Sequence, residues 1–383
     1  MMKVNVIGGG PAGLYFALLM RRHGVAREVS VYERNPPGAT FGWGVVFSGR
    51  TLRNLREADE VSHRRITESF ETWENVDVVL RESKVTVRGN DFSGIARLKL
   101  LNILQERCAE VGVELRFDTP AEDVDALAAG CDLLVGADGV GSAVRERYAR
   151  EFCPALDAGH NKYIWYGTRR LFHGLTLTFR ETADGVFAAH SYKFSKELST
   201  FIVECDEETW RRAGLDRMSD AESREHLGRV FARDLGGEEL LSNNSRWINF
   251  LLVKNENWSR GNVVLLGDAL HTAHFSIGSG TKLAIEDSIE LFRHFAAGLD
   301  VPAALGAFER ARRPVVEEYQ RAADESRVWF ERAREHVGLE PLPFAYSLMT
   351  RSTRVDRESL RRRDPTFVAA YEEAVARAGR ERS

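Results

Sequence analysis

Hydrophobic positions along the chain follow two rhythms, and the change between them marks its organisation. Val4, Val6 and Ile7 read as a short buried strand, and Leu14, Ala17, Leu18 and the run beyond them recur at helical spacing. A second apolar strand covers 29–32, and further strands are expected at 114–117, 132–136 and 262–266. The middle of 132–136 is fully apolar, and 262–266 has the pattern of a buried parallel strand. Amphipathic helices are expected at 97–111, 281–297 and 301–337, a charged helical connector at 210–235, and an Arg/Glu-rich tail over 351–383. The Arg-, Glu- and His-rich stretch 50–75 reads as a solvated helix face.

Elsewhere the rhythm shortens. Segments 76–80 and 84–88, with a turn at Gly89-Asn90-Asp91, look like alternating strands. From about 154 the segments 162–166, 175–179, 185–190 and 200–204 are spaced for an antiparallel sheet, and 246–250 adds a strand. The expected fold is therefore α/β, with a discontinuous Rossmann-type nucleotide-binding lobe over 1–75, 96–153 and 254–337. A β-rich substrate lobe is inserted at 76–95 and 154–253, and a helical tail occupies 338–383.

Composition excludes more than it identifies. At 43% hydrophobic and 29% charged residues the chain is an ordinary globular protein, and a net charge of −4 gives no reason to expect nucleic acid. The four cysteines (Cys108, Cys131, Cys153 and Cys205) form no Cys-x-x-Cys pair. Neither a disulfide framework nor a metal site is expected, and a reducing cytoplasm fits. The glycine turn and Arg21-Arg22-His23 argue against a signal peptide, and no apolar run reaches the ~18 residues of a membrane span.

Chemistry is concentrated at glycine turns. Gly8-x-Gly10-x-x-Gly13, with Pro11 and Ala12 inside it, lies between a strand and a helix. The first glycine permits the tight turn, the second lets a pyrophosphate approach the backbone, and the third lets helix and strand pack closely. Phosphates then face unpaired N–H groups at the helix N-terminus, and Glu33, ending the next strand, is placed to accept ribose hydroxyls. Asp138-Gly139 and Gly267-Asp268 each end a later apolar strand, and the latter leads to Gly278-Ser279-Gly280-Thr281 at a second helix start. One extended dinucleotide accounts for both glycine-primed helices. The Phe41–Ser48 loop sets two glycines around Trp43. On the residues alone it is equally a buried loop filled by Trp or a backbone passing close to a flat cofactor.

Together the three turns resemble the signatures of single-component, FAD-dependent aromatic hydroxylases, the para-hydroxybenzoate hydroxylase superfamily, over about residues 1–330. Stretches 42–48, 161–168, 199–204, 274–278 and 326–331 are similar to the salicylyl-CoA 5-hydroxylase and aminobenzoyl-CoA monooxygenase group, and to the tryptophan hydroxylases of violacein assembly. The resemblance implies that FAD is the cofactor, that Glu33 binds its adenosine ribose and Asp268 its ribityl chain, and that Arg97 contacts it. Arg34, Gly44 and Val45 join the implied cofactor set, with the 42–48 loop beside the flavin. It also implies reduction by NADH or NADPH, bound transiently without a domain of its own, and a flavin hydroperoxide that passes oxygen from O2 to an activated ring. Salicylyl-CoA, hydroxylated to gentisyl-CoA, is the implied substrate. One departure stands out: where the superfamily commonly has a proline beside the flavin, this chain has Phe275.

Hydroxylation para to a phenol is helped by loss of the phenolic proton, and His190 and Tyr192 are candidates to assist. His274 and Phe275 complete the candidate catalytic set; His274, like His271, lies nearer the flavin signature and could instead shape the pocket. Val46, Tyr163, Trp165 and Phe201 are candidate substrate contacts; with Tyr166, Phe187 and Tyr192 the β-lobe aromatics could line a dry cavity, although ordinary sheet core covers at least half of them. Arg50, Arg53, Arg64 and Arg65 could meet CoA phosphates, with solvated surface the plainer alternative. Other classes stay open: an indolic hydroxylase, a flavin reductase, or a flavin-binding module without turnover. No Trp-x-Trp-x-Ile-Pro motif of a flavin halogenase is present. The tail could dock on the body, pair with another subunit or touch the CoA; the oligomeric state is left open.

Overall fold

The computed structural model describes residues 2–40, 42–47 and 49–381, without the side chains of Arg50 and Glu381. Phe41, Ser48 and the Arg50 guanidinium, named above, lie outside the described residues. A six-stranded sheet runs in the order Ser259–Arg260, Val263–Leu265, Leu133–Gly136, Met2–Ile7, Ala26–Tyr32, Glu114–Arg116. All its pairs are parallel except that of the edge strand Ser259–Arg260. Val4 faces Val29 on one side and Leu133 on the other. The apolar runs follow from cover on both faces. The helix Pro11–Arg22, buried from Pro11 to Met20, packs between Gly280–Ala296 and Arg97–Glu110.

A larger, mostly antiparallel sheet is ordered Leu240–Leu241, Pro154–Thr168, Ser199–Cys205, Val186–Lys193, Leu175–Glu181, Val76–Leu80, Ser83–Val87, with Ile248–Asn255 also on Pro154–Thr168. Leu175–Glu181 and Val76–Leu80 pair in parallel, because a long segment rather than a hairpin joins them. Side chains alternate between two faces. Ile164, Tyr166, Phe187, Phe201 and Val203 pack with Leu227, Phe231 and Leu235 of the 207–235 helices. The opposite face carries Val78, Leu177, Phe179 and Ala188, which meet Phe344, Leu348 and Phe367 of the tail.

The tail therefore docks on the body. Its helices are Pro341–Met349, Arg357–Arg363 and Pro365–Glu381. Asp364 accepts the Arg88 N–H at 2.8 Å, and Gly89 lies so close to the Arg363 carbonyl that a Cβ would stand 2.4 Å from its oxygen. A third small sheet joins Gly44–Phe47, Phe92–Ala96 and Glu71–Trp73. The strand Phe92–Ala96 closes the 76–95 stretch expected to be β-rich, but it pairs with Gly44–Phe47 rather than with the large sheet. Gly94 makes this possible, since a side chain there would strike the Trp73 ring at 2.8 Å. All four cysteines are free, and no helix among the described residues is long and apolar enough to cross a membrane.

Candidate active site

Sterics build the first turn. Gly8 takes φ +110°, and a Cβ there would lie 2.2 Å from the Ala137 carbonyl oxygen. Gly13 is closed in the same way, its Cβ 2.1 Å from Gly8 O. Gly10 differs: a Cβ would meet nothing within 4 Å, so its backbone lies bare toward the open side. Gly10 is the N-cap of Pro11–Arg22, Pro11 begins the helix, and no side chain caps it. Its first N–H groups can thus serve an anion. Ala12 O accepts from Ser288 Oγ at 2.9 Å, fixing this helix to Gly280–Ala296. Glu33 Oε2 accepts the Gly9 N–H at 2.7 Å, and Oε1 accepts the Asn35 backbone and side-chain N–H groups at 2.8 and 2.6 Å. Arg34 beside it is exposed.

Two more turns follow neighbouring parallel strands, at the carboxyl ends where open α/β sheets bind ligands. Asp138 uses its carboxylate internally: Oδ1 accepts Ser142 Oγ at 2.6 Å, and Oδ2 accepts the N–H groups of Ala143 and Val144 at 2.7 and 3.2 Å. What this turn presents is backbone, with Gly139 at φ +82°. Arg145 ties it to the third turn by donating to Ala269 O at 2.9 Å and to Val140 O. Gly267 sits at φ +58°, and a Cβ there would lie 3.0 Å from that of Ala12. Asp268 is exposed at the mouth of this turn, while the protein packed around it raises its pKa by desolvation against the pull of Arg97 and His271. Arg97, half-buried, has its pKa lowered by burial, and the Asp268 charge opposes this. Gly278 (φ +61°) and the uncapped Ser279 lead into Gly280 and Thr281, the first residues of Gly280–Ala296.

The glycines of the 42–47 loop make room for protein rings. A Cβ on Gly42 would lie 2.6 Å from the Trp165 ring, and one on Gly44 2.6 Å from Phe194 Cβ. Reciprocally, the Trp43 ring lies against Gly167. So close approach here serves the two sheets, correcting the idea that a flat cofactor requires these glycines. Val45 is buried, while Val46 faces Gly278, with a Cβ there 4.0 Å away.

On the large sheet, three adjacent strands bring polar groups together. His190 Nε2 lies 2.6 Å from Glu204 Oε1, and Asn161 Nδ2 donates to Glu204 Oε2 at 3.2 Å. Burial alone would raise the Glu204 pKa, but the His190 bond, the nearby imidazoles and Asn161 hold it below the usual value. The His190 ring meets Phe275 edge-on at 5.4 Å, and Tyr163 meets Phe275 at 4.7 Å between ring centres. Tyr163 feels both Asp268 and Glu204, and burial with these charges raises its phenol to about 12. Burial lowers His274 to about 4, so it is neutral near pH 7. Its Nδ1 lies 2.8 Å from Ser276 Oγ, which contacts Ser326 Oγ at 2.8 Å. Arg351, from the tail, donates to Ser326 Oγ at 2.7 Å and to Ser276 O at 2.9 Å. A tail residue thus anchors the loop that carries Phe275.

Several candidates move away from this centre. Phe201, with Tyr166 and Phe187, lies on the far face beneath the 207–235 helices, because strand alternation sends it opposite Thr200, Ile202 and Glu204. Phe201 is core, not a substrate contact. The Tyr192 hydroxyl donates to Gly44 O at 2.8 Å, and its ring stacks on Trp73, so it positions the loop and is not free to take a proton. Trp165 packs on Gly42 and donates from Nε1 to Thr200 Oγ1 at 2.6 Å. Arg53 and Arg64 are exposed and Arg65 pairs with Glu110. His271 is held by Asp287 at 2.7 Å, itself paired with Arg312. Sequence reasoning missed Glu204, Asn161, Asn35, Arg145 and Arg351. Glu204 alone carried a signal: a carboxylate in the apolar strand Ser199–Cys205 must find a buried partner.

Comparison with known proteins agrees with this geometry. The family model of the FAD binding domain matches residues 1–323. The chain is 41% identical over 378 residues to a salicyloyl-CoA 5-hydroxylase of a Streptomyces species, spanning 96% of this chain and 72% of that protein. It is 37% identical over 358 residues to the protodeoxyviolaceinate monooxygenase of Chromobacterium violaceum, covering 91% and 94%. It is 38% identical over 331 residues to a 3-hydroxy-4-methyl-anthranilyl-[aryl-carrier protein] 5-monooxygenase of Streptosporangium sibiricum, covering 86% and 90%. A crystal structure of 2-methyl-3-hydroxypyridine-5-carboxylic acid oxygenase shares the fold, with TM-score 0.73 at 20% identity over 91% of this chain and 96% of the other.

Proposed function

The chain belongs to the FAD-binding-domain family and is an FAD-dependent aromatic monooxygenase, and from that premise we propose that it hydroxylates an aryl-coenzyme A thioester with NADH or NADPH as reductant. Salicylyl-CoA, converted to gentisyl-CoA, is the substrate of choice, by likeness to the Streptomyces relative. The residues present suit FAD. The bare backbone at Gly10 and the uncapped helix behind it would hold the pyrophosphate, and Glu33 the adenosine ribose. Asp268, open on one side, would take the ribityl hydroxyls, with Gly278–Thr281 at the ring system. Bound FAD supplies the activation of dioxygen, and the protein orients and shelters the reactants.

The observation that carries the proton chemistry is the His190–Glu204 pair against Phe275. Glu204 accepts from Nε2, which leaves the Nδ1 lone pair for a phenolic proton. His190 Nδ1 has no hydrogen-bond partner among the described residues. Phe275 and Phe330 pack on the His190 ring at 5.4 and 4.7 Å between ring centres, and Tyr163 and Phe250 pack in turn on Phe275, an apolar setting that disfavours water.

The test compares salicylyl-CoA, free salicylate and protodeoxyviolaceinate on the purified holoenzyme, under labelled dioxygen, following NAD(P)H loss and product mass. Labelled hydroxylated thioester with little turnover of the free acid supports the proposal. Equal turnover of free salicylate removes the coenzyme A assignment, and turnover of the indolic compound alone replaces it. Consumption of NAD(P)H without label in any product would make the chain a reductase.

A further inference from the structure

We propose that Lys282, Tyr319 and Arg354 form an anion-binding site that takes a phosphate or pyrophosphate group of a nucleotide-bearing reactant. Which reactant that is, coenzyme A thioester or nicotinamide dinucleotide, rests on the function proposed above.

Lys282 is the third residue of the helix Gly280–Ala296 and is only 5% exposed. Its ammonium donates to Tyr319 Oη and lies 4.5 Å from the centre of that ring. Arg354 Nη2 donates to the same oxygen at 3.2 Å, with its guanidinium 4.1 Å from the ring centre. Two cations therefore converge on one phenol. Among the described residues, neither has a carboxylate within ion-pairing distance. Neighbouring acids are engaged elsewhere: Asp356, two residues beyond Arg354, caps the helix Arg357–Arg363 by accepting the Ser359 N–H at 2.7 Å. Glu286, one turn beyond Lys282, accepts from Thr51 at 3.1 Å and pairs with Arg312 at 3.4 Å. Glu325 accepts the Thr353 N–H at 2.6 Å.

Three effects work against a cation here. Burial disfavours the charge, the start of a helix is its positive end, and a second cation stands on the same oxygen. Ring faces and a phenol oxygen offset part of this. A multivalent anion would reverse the sign of all three at once. Guanidinium and ammonium groups together are the donor set for phosphate oxygens.

The position suits an incoming reactant. Tyr319 packs with Ala273 and Leu283, with Ile277 alongside, so the cluster underlies the segment that carries Phe275. Arg354 is exposed and gives the cluster its outlet to solvent. An anion seated there would be tethered from outside to a ring that enters beside Phe275.

The experiment uses the FAD-loaded protein and two probes, adenosine 3′,5′-bisphosphate for the coenzyme A end and NADH for the dinucleotide. Titration calorimetry and steady-state kinetics are compared for wild type, Arg354→Gln, Arg354→Lys and Lys282→Met. Loss of one charge-assisted bond is expected to weaken the matching probe by about tenfold, raising KM for its reactant with kcat little changed. Arg354→Lys recovers part of the loss, and the probe that responds names the source. Arg354 is exposed, so its variants decide the matter even if Lys282→Met does not fold. Should Arg354→Gln leave both probes and both KM values as in the wild type, or alter only the flavin spectrum, there is no such site. If salicylyl-CoA is not turned over but a probe still loses affinity in Arg354→Gln, the anion site stands and the substrate proposal falls.

Discussion

His190 on one strand and Glu204 on the next share a 2.6 Å bond, buried on both sides. The strands are antiparallel, and His190 lies opposite Ile202, so the pair reaches diagonally along one face. That bond fixes the imidazole tautomer. His190→Phe is expected to lower kcat for hydroxylation by about 100-fold while substrate still binds. Glu204→Gln keeps the shape but loses the fixed acceptor, and should lower kcat by about tenfold and shift the pH profile. Product formed per NAD(P)H consumed is the measurement, since a misplaced ring wastes reductant.

Glycines that look equivalent should behave differently. Gly8→Ala and Gly13→Ala place a Cβ 2.2 and 2.1 Å from backbone oxygens, so the turn must deform and the protein should purify without FAD. Gly10→Ala meets nothing. It should leave the melting temperature of the cofactor-free protein unchanged and weaken FAD retention by about tenfold or more. Flavin absorbance per polypeptide, read beside thermal melting, separates the two effects.

Tyr192→Phe removes a single bond, to Gly44 O. A cost of about 1 kcal/mol in stability is expected, with kcat close to that of the wild type. A large loss of kcat without loss of stability would return Tyr192 to the reacting groups.

Acid should unlock the loop at His274. Its folded pKa is about 4 against an ordinary 6.5, so between these values the unfolded chain binds a proton that the folded one does not. Stability therefore falls as pH drops from about 6.5 to about 4, by at most about 3 kcal/mol from this residue. His274→Asn removes that contribution, and the difference in melting temperature between pH 7 and pH 5 should shrink.

Local chemistry was legible in the sequence, and facing was not. Gly8, Gly10, Gly13 and Glu33 announce themselves because turn, helix start and carboxylate are contiguous and each residue type is required by its own backbone. Tyr163 and Phe201 are both aromatic residues in strands of alternating pattern, yet one meets Phe275 and the other lies beneath helices. Period two reveals that a strand has two faces without saying which one receives the ligand. Gly42 and Gly44 were equally opaque, since a missing Cβ looks the same whether a cofactor or Trp165 fills the space. Arg351 could not be found at all: its contacts at Ser276 and Ser326 exist only after the tail folds back.

The three cofactor-side turns stand on neighbouring strands, but they come from residues near 8, 138 and 267. During synthesis the strand Leu133–Gly136 therefore waits for its outer partner, Val263–Leu265, encoded about 130 positions later, while the antiparallel sheet between them can already pair. Prosthetic-group capture is consequently a late event for each new polypeptide. A cell short of riboflavin should accumulate chains that are complete in length yet loose at this seam, and these would be the first cut by proteases.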